Sequence, residues 1–374
     1  MRLLRFTSSS ICLVLAFATV ASAGSLRMNQ IQIIGSHNSY HAGLAPAEME
    51  LLRKQNPKVA ESLDYRHAPI AAQLDSGVRQ LELDVYGDSK GGRYADPLFL
   101  RLTSGKPGAT PMPAGWKETM TKPGFKVLHV SDVDFRSHCW TFAACLAEVR
   151  QWSQAHARHL PIVIQIENKM TDEEQTARRP GFVPVEPVTK EALDALDAEI
   201  RSVFRKGEVI TPDDVRGSHR TLREAVLSGK GWPELEKTRG KFIFVFDQER
   251  VTPLYVDGHP SLRGRMIFTN ADPEAPDAAF VKVNNPDSPQ IPELVRKGFL
   301  VRTMTDGGAA AVRAGDTRRR DQAIGSGAQI LSTDYPFDWK AGSSEFHVEL
   351  PGRVIARCNP VNAPAKACPA KILP

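Results

Sequence analysis

Six clusters of polar side chains with chemical potential punctuate the sequence, each at or just past the end of an apolar run: His37-Asn38, Glu82-Leu83-Asp84, His129, Glu167-Asn168-Lys169, Arg302 with Asp306, and Thr333-Asp334-Tyr335. A polar group in such a place costs free energy unless a partner or ligand meets it. Residues i and i+2 of a strand share a face, so Glu82 and Asp84 point to the same side. Two converging carboxylates repel unless a cation or a proton comes between them. With Glu167 and the Asn38 amide they make four hard oxygen donors, a set that suits Ca²⁺ and suits zinc poorly. Asn38, Glu82, Asp84 and Glu167 are therefore the predicted metal ligands. Imidazole is an unusual calcium ligand. His37 and His129 are predicted instead to be catalytic, donating to a phosphate oxygen or protonating a leaving alkoxide.

Side chains so far apart in sequence need a fold that gathers strand ends. Short β-branched runs recur at Ile31–Ile34, Gln80–Val85, Lys126–Val130, Ile162–Ile166, Phe242–Phe246, Met266–Phe268, Phe299–Thr303 and Gln329–Leu331. Phe280–Val283 is a ninth candidate that would spoil a count of eight. Helix-like segments separate them. Pro69 opens one that buries Ile70 and Leu74 and stops at Gly77. Thr189 caps another, whose Leu193, Leu196, Ile200 and Phe204 recur with helical spacing. Continuous apolar strands alternating with helices predict an α/β TIM barrel, (β/α)₈, as a single domain whose chemistry sits at the carboxyl ends of the strands. No G-x-G-x-x-G follows a strand, so a dinucleotide site is unsupported. Two insertions break the rhythm: Tyr86 to Phe125, rich in Gly and Pro but holding Leu98, Phe99, Leu100, Met112 and Trp116, and Thr171 to Gly240.

Residues 1–23 read as a signal peptide: Arg2 and Arg5, an apolar run from Ile11 to Val20, then Ala21-Ser22-Ala23 before Gly24. The run falls short of the roughly 20 apolar residues that span a bilayer. The mature chain, 24–374, is thus expected to be secreted or periplasmic. Its net charge falls from +5 to +3 with the two arginines gone, too mild a balance to indicate nucleic acid. Cys139, Cys145, Cys358 and Cys368 remain, an even number for an oxidising compartment. Of three possible pairings the two local ones, Cys139–Cys145 and Cys358–Cys368, are favoured, and no CxxC spacing supports zinc.

In four ordered motifs the sequence resembles the calcium-dependent phosphoinositide-specific phospholipases C, most closely their small secreted bacterial branch. Gly35-Ser36-His37-Asn38-Ser39-Tyr40 resembles that family's SHN-[ST]-Y motif, and Gln80 to Val85 its E-L-D strand. His129 takes the place of a second catalytic histidine, and Ile166-Glu167-Asn168 resembles the pair ending the fourth strand. Val301-Arg302-Thr303 and Ser332 to Pro336 extend the likeness. The resemblance implies that the four oxygen ligands hold Ca²⁺ against a phosphate oxygen and the inositol 2-hydroxyl. Glu82 or Asp84 would take the hydroxyl proton, His37 would stabilise the pentacovalent transition state, and His129 would protonate the departing diacylglycerol oxygen. Lys169 and Arg302 would contact the headgroup. The partner implied is a phosphatidylinositol-type lipid met peripherally at a membrane surface by a monomer.

Each signal alone has an ordinary explanation. A His-Asn at a strand end is usually a turn, and a Glu-x-Asp usually a solvated strand face. His138, His156 and His159 read as surface residues, Arg318-Arg319-Arg320 as a solvated helix face, and Tyr40 and His41 as mouth-lining or loop-closing. The apolar part of the first insertion is expected to pack on the barrel, with membrane contact the competing reading. The rival functions are another barrel phosphodiesterase (a glycerophosphodiester phosphodiesterase or a sphingomyelinase-D-like enzyme) and a secreted barrel that binds inositol lipids without turnover.

Overall fold

The computed structural model describes residues 25–169, 181–337, 344–369 and 372; the predicted signal peptide and part of the second insertion lie outside them. The described residues form ten strands: β1 (Ile31–Ser36), β2 (Gln80–Tyr86), β3 (Lys126–Val127), β4 (Ile162–Asn168), β5 (Phe242–Phe246), β6 (Ile267–Phe268), β7 (Phe280–Lys282), β8 (Leu300–Met304), β9 (Ile330–Thr333) and β10 (Ala356–Cys358). Eight of them run parallel in the order β6-β5-β4-β2-β1-β9-β8-β7. A parallel bridge from Asn270 to Phe280 brings the two ends of that sheet together. The result is the expected α/β barrel with helices outside.

The membership of the barrel differs from the sequence reading. Lys126–Val130 is not a barrel strand: only Lys126 and Val127 are extended, and they pair antiparallel with the end of β2 (Val85↔Val127, Tyr86↔Lys126). The discounted run at Phe280 supplies the missing strand, parallel to β8. The physical reason is connection length. Parallel neighbours need a crossover helix, and the chain between β2 and Lys126 offers only the short helices Leu98–Thr103 and Trp116–Met120. The crossover comes later, in Phe142–Ala155, which precedes β4. Everything between β2 and that helix is one long excursion over the barrel mouth.

Helix ends follow the sequence signals. Ile70–Ser76 begins after Pro69 and ends at Gly77, whose φ of 113° only glycine adopts readily. Thr189 accepts a hydrogen bond from the Ala192 amide and caps Lys190–Val203, which buries Leu193, Leu196 and Ile200. The first insertion has its own core: Tyr86, Tyr94, Phe99, Trp116, Met120, Leu128, Val133 and Phe135 pack together with Met49 and Leu52. Its aromatic residues thus face the protein, while Leu102 is exposed. Cys139–Cys145 and Cys358–Cys368 are both disulfide-bonded. The second ties down the tail that carries β10, which pairs antiparallel with the lower half of β1.

Candidate active site

Along β2, Gln80, Glu82 and Asp84 turn into the barrel while Leu81, Leu83 and Val85 face the helices, as alternation requires. The interior is crowded at its base. A methyl group on Gly35 would lie 1.9 Å from Gln80 Oε1, so only glycine fits opposite that side chain. One layer up, register sets Glu82 beside Gln165 and Asp84 beside Glu167. Glu82, Asp84 and Glu167 each offer a carboxylate oxygen, all within 4.8 Å of one another. Asn38, in the turn after β1 with φ +47°, is buried, and the amide of the next residue, Ser39, donates to the Glu82 carbonyl at 3.0 Å. Asn38 Nδ2 donates to Tyr65 Oη at 2.8 Å, while Oδ1 accepts no hydrogen bond among the described residues. The same holds for Asp84 Oδ1. Buried oxygens without donors, in an all-oxygen set, fit a hard divalent cation.

Cationic side chains balance part of this charge. Lys169 Nζ lies 2.7 Å from Asp84 Oδ2 and 2.9 Å from Glu167 Oε1. Arg302 Nη2 donates to Glu82 Oε2 at 3.1 Å and to Ser332 Oγ at 3.0 Å. Gln165 donates to the same Glu82 oxygen at 3.1 Å and to Asp247 Oδ1 at 2.7 Å. Burial pushes Asp84 up to about 7, Lys169 opposing it and Glu167 reinforcing it. In Glu167 burial is outweighed by Lys169, and the carboxyl falls below its ordinary range. Arg302, expected to touch a headgroup, is 2% exposed and spends Nη2 on its ion pair with Glu82.

His37 stands at the rim, 28% exposed, with Nδ1 2.8 Å from Asp334 Oδ1 and Nε2 3.7 Å from Glu82 Oε1. Burial favours the neutral ring, but Glu82 and then Asp334 outweigh it and raise His37 well above the usual imidazole range. Since a carboxylate only accepts, Nδ1 carries the proton and Nε2 faces the mouth. His67 fixes the backbone here, donating from Nε2 to the His37 carbonyl at 2.7 Å.

His129 reaches the same mouth by another route. It follows the antiparallel β3, not a barrel strand, and is 20% exposed. Its Nδ1 lies 2.8 Å from Asp134 Oδ2. Both oxygens of that buried carboxylate are also 2.8 Å from Nε2 of His41, which is fully buried. Backbone hydrogen bonds seat this segment on the turn after β1: His138 N donates to Tyr40 O and Ala42 N to Arg136 O.

Sequence reasoning singled out His37, Asn38, Glu82, Asp84, His129, Glu167 and Lys169, and the fold brings all seven to one end of the barrel. It missed Asp134, which ends no apolar run, and left His41 undecided. Gln165 and Ser332 were legible in principle, as inward residues of the strands flanking Glu82 and Arg302. Among the residues read as surface, His159 is buried, its Nε2 bonded to Ser153 Oγ; His138 is half-buried and His156 exposed. Of the arginines read as a solvated helix face, Arg318 is exposed and pairs with Asp316, whereas Arg319 and Arg320 are half-buried and donate to the Asn284 and His347 carbonyls.

The family model described as phosphoinositide phospholipase C, Ca²⁺-dependent, matches residues 26–360. No curated protein sequence matches. Among solved structures, a calcium-dependent phosphoinositol-specific phospholipase C from a Gram-negative Pseudomonas sp. (apo form, myoinositol complex) is similar, with 17% identity and TM-score 0.53 over 89% of this chain and 96% of that one. A second crystal form of that enzyme gives 16% identity and TM-score 0.53 over 90% and 97%. The calcium-dependent phosphatidylinositol-specific enzyme of Streptomyces antibioticus is 19% identical over 83% and 95%, with TM-score 0.49. At these identities the likeness to the two Pseudomonas structures establishes a shared barrel fold.

Proposed function

The chain belongs to the Ca²⁺-dependent phosphoinositide phospholipase C family, and from that premise we propose how its own residues divide the cleavage of a phosphatidylinositol-type lipid into diacylglycerol and an inositol phosphate, cyclic at first. The enzyme is a phosphodiesterase. The observation that carries the assignment of the site is the convergence of Glu82, Asp84 and Glu167 within 4.8 Å, with the rim histidine His37 3.7 Å from Glu82.

Asn38, Glu82, Asp84 and Glu167 would hold calcium, which would supply Lewis acidity to the reacting phosphodiester. Glu82 is the base in this scheme. Its Oε2 is taken by Arg302 and Gln165, whereas Oε1 faces His37. Oε1 accepts the hydroxyl proton as the oxygen attacks phosphorus from within the same molecule. His37, kept protonated by Asp334 and Glu82, donates from Nε2 to the phosphoryl oxygen as its charge grows. His129 gives the Nε2 proton to the glycerol oxygen, so diacylglycerol leaves neutral. Lys169 and Arg302 offset part of the cost of burying the carboxylates.

The setting completes the proposal. Two disulfides support export into an oxidising compartment, with residues 1–23 as the signal and 24–374 as one catalytic domain. Among the described residues no helix is long and apolar enough to cross a membrane. We read the enzyme as a monomer that meets the lipid surface peripherally. Incubation with phosphatidylinositol and, separately, phosphatidylcholine, followed by phosphorus NMR, tests the reaction. Diacylglycerol release from the inositol lipid with the choline lipid nearly inert is expected, since internal attack is worth roughly 7–11 kcal/mol over an external nucleophile. Headgroup-side cleavage, or preference for deacylated substrates, would assign the site to a different phosphodiesterase.

A further inference from the structure

The reaction just described makes no use of His41, yet this side chain occupies a place where an apolar residue would pack at lower cost. It is fully buried, its ring 4.4 Å from Tyr65 and 6.0 Å from His129. Its Nδ1 accepts no hydrogen bond among the described residues. Leaving a buried polar atom unmatched is unfavourable, so the other nitrogen must account for the histidine. That nitrogen, Nε2, lies 2.8 Å from both oxygens of Asp134.

We propose that His41 is a positioning residue which, acting through Asp134, fixes the tautomer and aim of His129. The inference rests on the reading of His129 as the proton donor to the leaving group. A carboxylate can only accept, so His41 carries its proton on Nε2 and His129 carries one on Nδ1. By engaging both oxygens, His41 sets the plane of the carboxylate, and Oδ2 then orients the His129 ring at 2.8 Å. Nε2 of His129 is the atom left to meet the substrate. During turnover the Nε2 proton passes to the glycerol oxygen, while the Nδ1 proton stays on the ring.

The surroundings agree. Asp134 stays ionised although burial works against it, because His41 and His129 outweigh the burial. The charged and titratable groups that face the cluster are Asp84 and Glu167 on the His129 side, and Tyr65, His67 and Asp334 on the His41 side. An antiparallel bridge from His41 to Ser137 ties the turn after β1 to the insertion. One turn of chain thus carries His37 and Asn38 for the barrel half of the site and His41 for the other half.

A structural role and a positioning role separate on the leaving group. An alkoxide needs a proton as it departs, whereas a nitrophenolate leaves without one, so only the first reaction depends on a general acid. The measurement is the ratio of kcat on phosphatidylinositol to kcat on a nitrophenyl ester of inositol phosphate, which does not depend on the fraction of protein folded. His129→Ala serves as the reference. His41→Phe and Asp134→Asn are expected to lower the ratio roughly tenfold or more, part of the roughly 10²–10⁴-fold a general acid contributes. His41→Gln, which keeps a donor at similar reach, should restore it. If His129→Ala lowers the ratio and the His41 and Asp134 variants leave it unchanged, His41 does not position the acid and the reading of His129 stands. If His129→Ala also leaves the ratio unchanged, that reading fails and this inference fails with it.

Discussion

Two histidine–carboxylate pairs face the same mouth, and the fold builds them in opposite ways. His37 and Asp334 ride on the ends of adjacent barrel strands, β1 and β9, joined by the His37 N to Thr333 O hydrogen bond of 2.8 Å. Both stay partly open to solvent. His129 and Asp134 sit five residues apart in the insertion, with the carboxylate wholly buried against a second histidine. The barrel places its pair by register, which many strands enforce together. The insertion places its pair by hydrogen bonds to one buried carboxylate, which a few side chains must hold. The same chemistry can therefore be removed at little structural cost on one side, and only with loss of packing on the other.

The largest effect should come from the carboxylates that the barrel half contributes. A calcium chelator such as EGTA is expected to abolish turnover, and added Ca²⁺ to restore it. Full activity in excess chelator would refute the metal site. By calorimetric titration, Glu82→Gln and Asp84→Asn should bind Ca²⁺ more weakly than the parent. Glu82→Gln carries an added penalty, because it leaves the Arg302 guanidinium buried without its carboxylate.

Next in size are the histidines themselves. His37→Ala and His129→Ala should each lower kcat on phosphatidylinositol by roughly 10²–10⁴-fold, the range of a positioned acid or base. His37→Ala should also slow the nitrophenyl substrate, since it stabilises charge on phosphorus whichever group departs. Equal turnover by both variants and the parent would place the active site elsewhere.

How much of this could be read from the sequence follows the same division. β1, β2, β4, β5, β6, β8 and β9 were legible as apolar runs, because strands buried on two faces have no other pattern. The residues at their ends were legible for the same reason. Lys126–Val130 misled because composition does not reveal pairing partners, and an antiparallel pair on the barrel rim looks like a barrel strand. β7 was set aside because Phe280–Val283 made a ninth run where eight already close a barrel. Asp134 was illegible. Its role depends on the antiparallel docking of residues 136–138 against 40–42, a long-range pairing that leaves no local signature.

Stability distinguishes the two pairs more sharply than activity does. Asp134→Ala leaves the His41 Nε2–H buried without an acceptor, and a buried unsatisfied donor costs about 1–3 kcal/mol. Asp334→Ala exposes a rim histidine that water can reach, so its denaturation midpoint should stay close to the parent's while its activity falls. Urea titrations of the two variants side by side measure the difference. Similar midpoints would show that the insertion does not depend on the cluster.

The smallest effect tests whether the carboxylate, rather than burial, is what makes the two catalytic histidines chemically different from an ordinary buried one. His159 is the control. It is as buried as His41 but faces no carboxylate: Nδ1 bonds the Leu160 carbonyl at 2.6 Å and Nε2 the Ser153 hydroxyl at 2.7 Å. A carbonyl only accepts, so the proton is on Nδ1, and Nε2 accepts from Ser153. The neutral ring is fully satisfied, and burial pushes its pKa down to about 4. The unfolded chain would protonate near pH 6.5. Above that value both states are neutral and His159 contributes no pH dependence. Between pH 6.5 and about 4 the unfolded state binds a proton that the native state refuses, so stability falls as the pH falls, by on the order of 1–2 kcal/mol at pH 5. His67, lowered in the same direction, adds to the slope in the parent, so the comparison must be with a variant rather than with theory. His159→Gln should flatten the pH dependence of the urea midpoint between pH 7 and 5 by up to one proton's worth and leave catalysis at pH 7 unchanged. An unaltered slope would mean that His159 is protonated in the native protein, and that burial alone can hold a charged histidine in this fold.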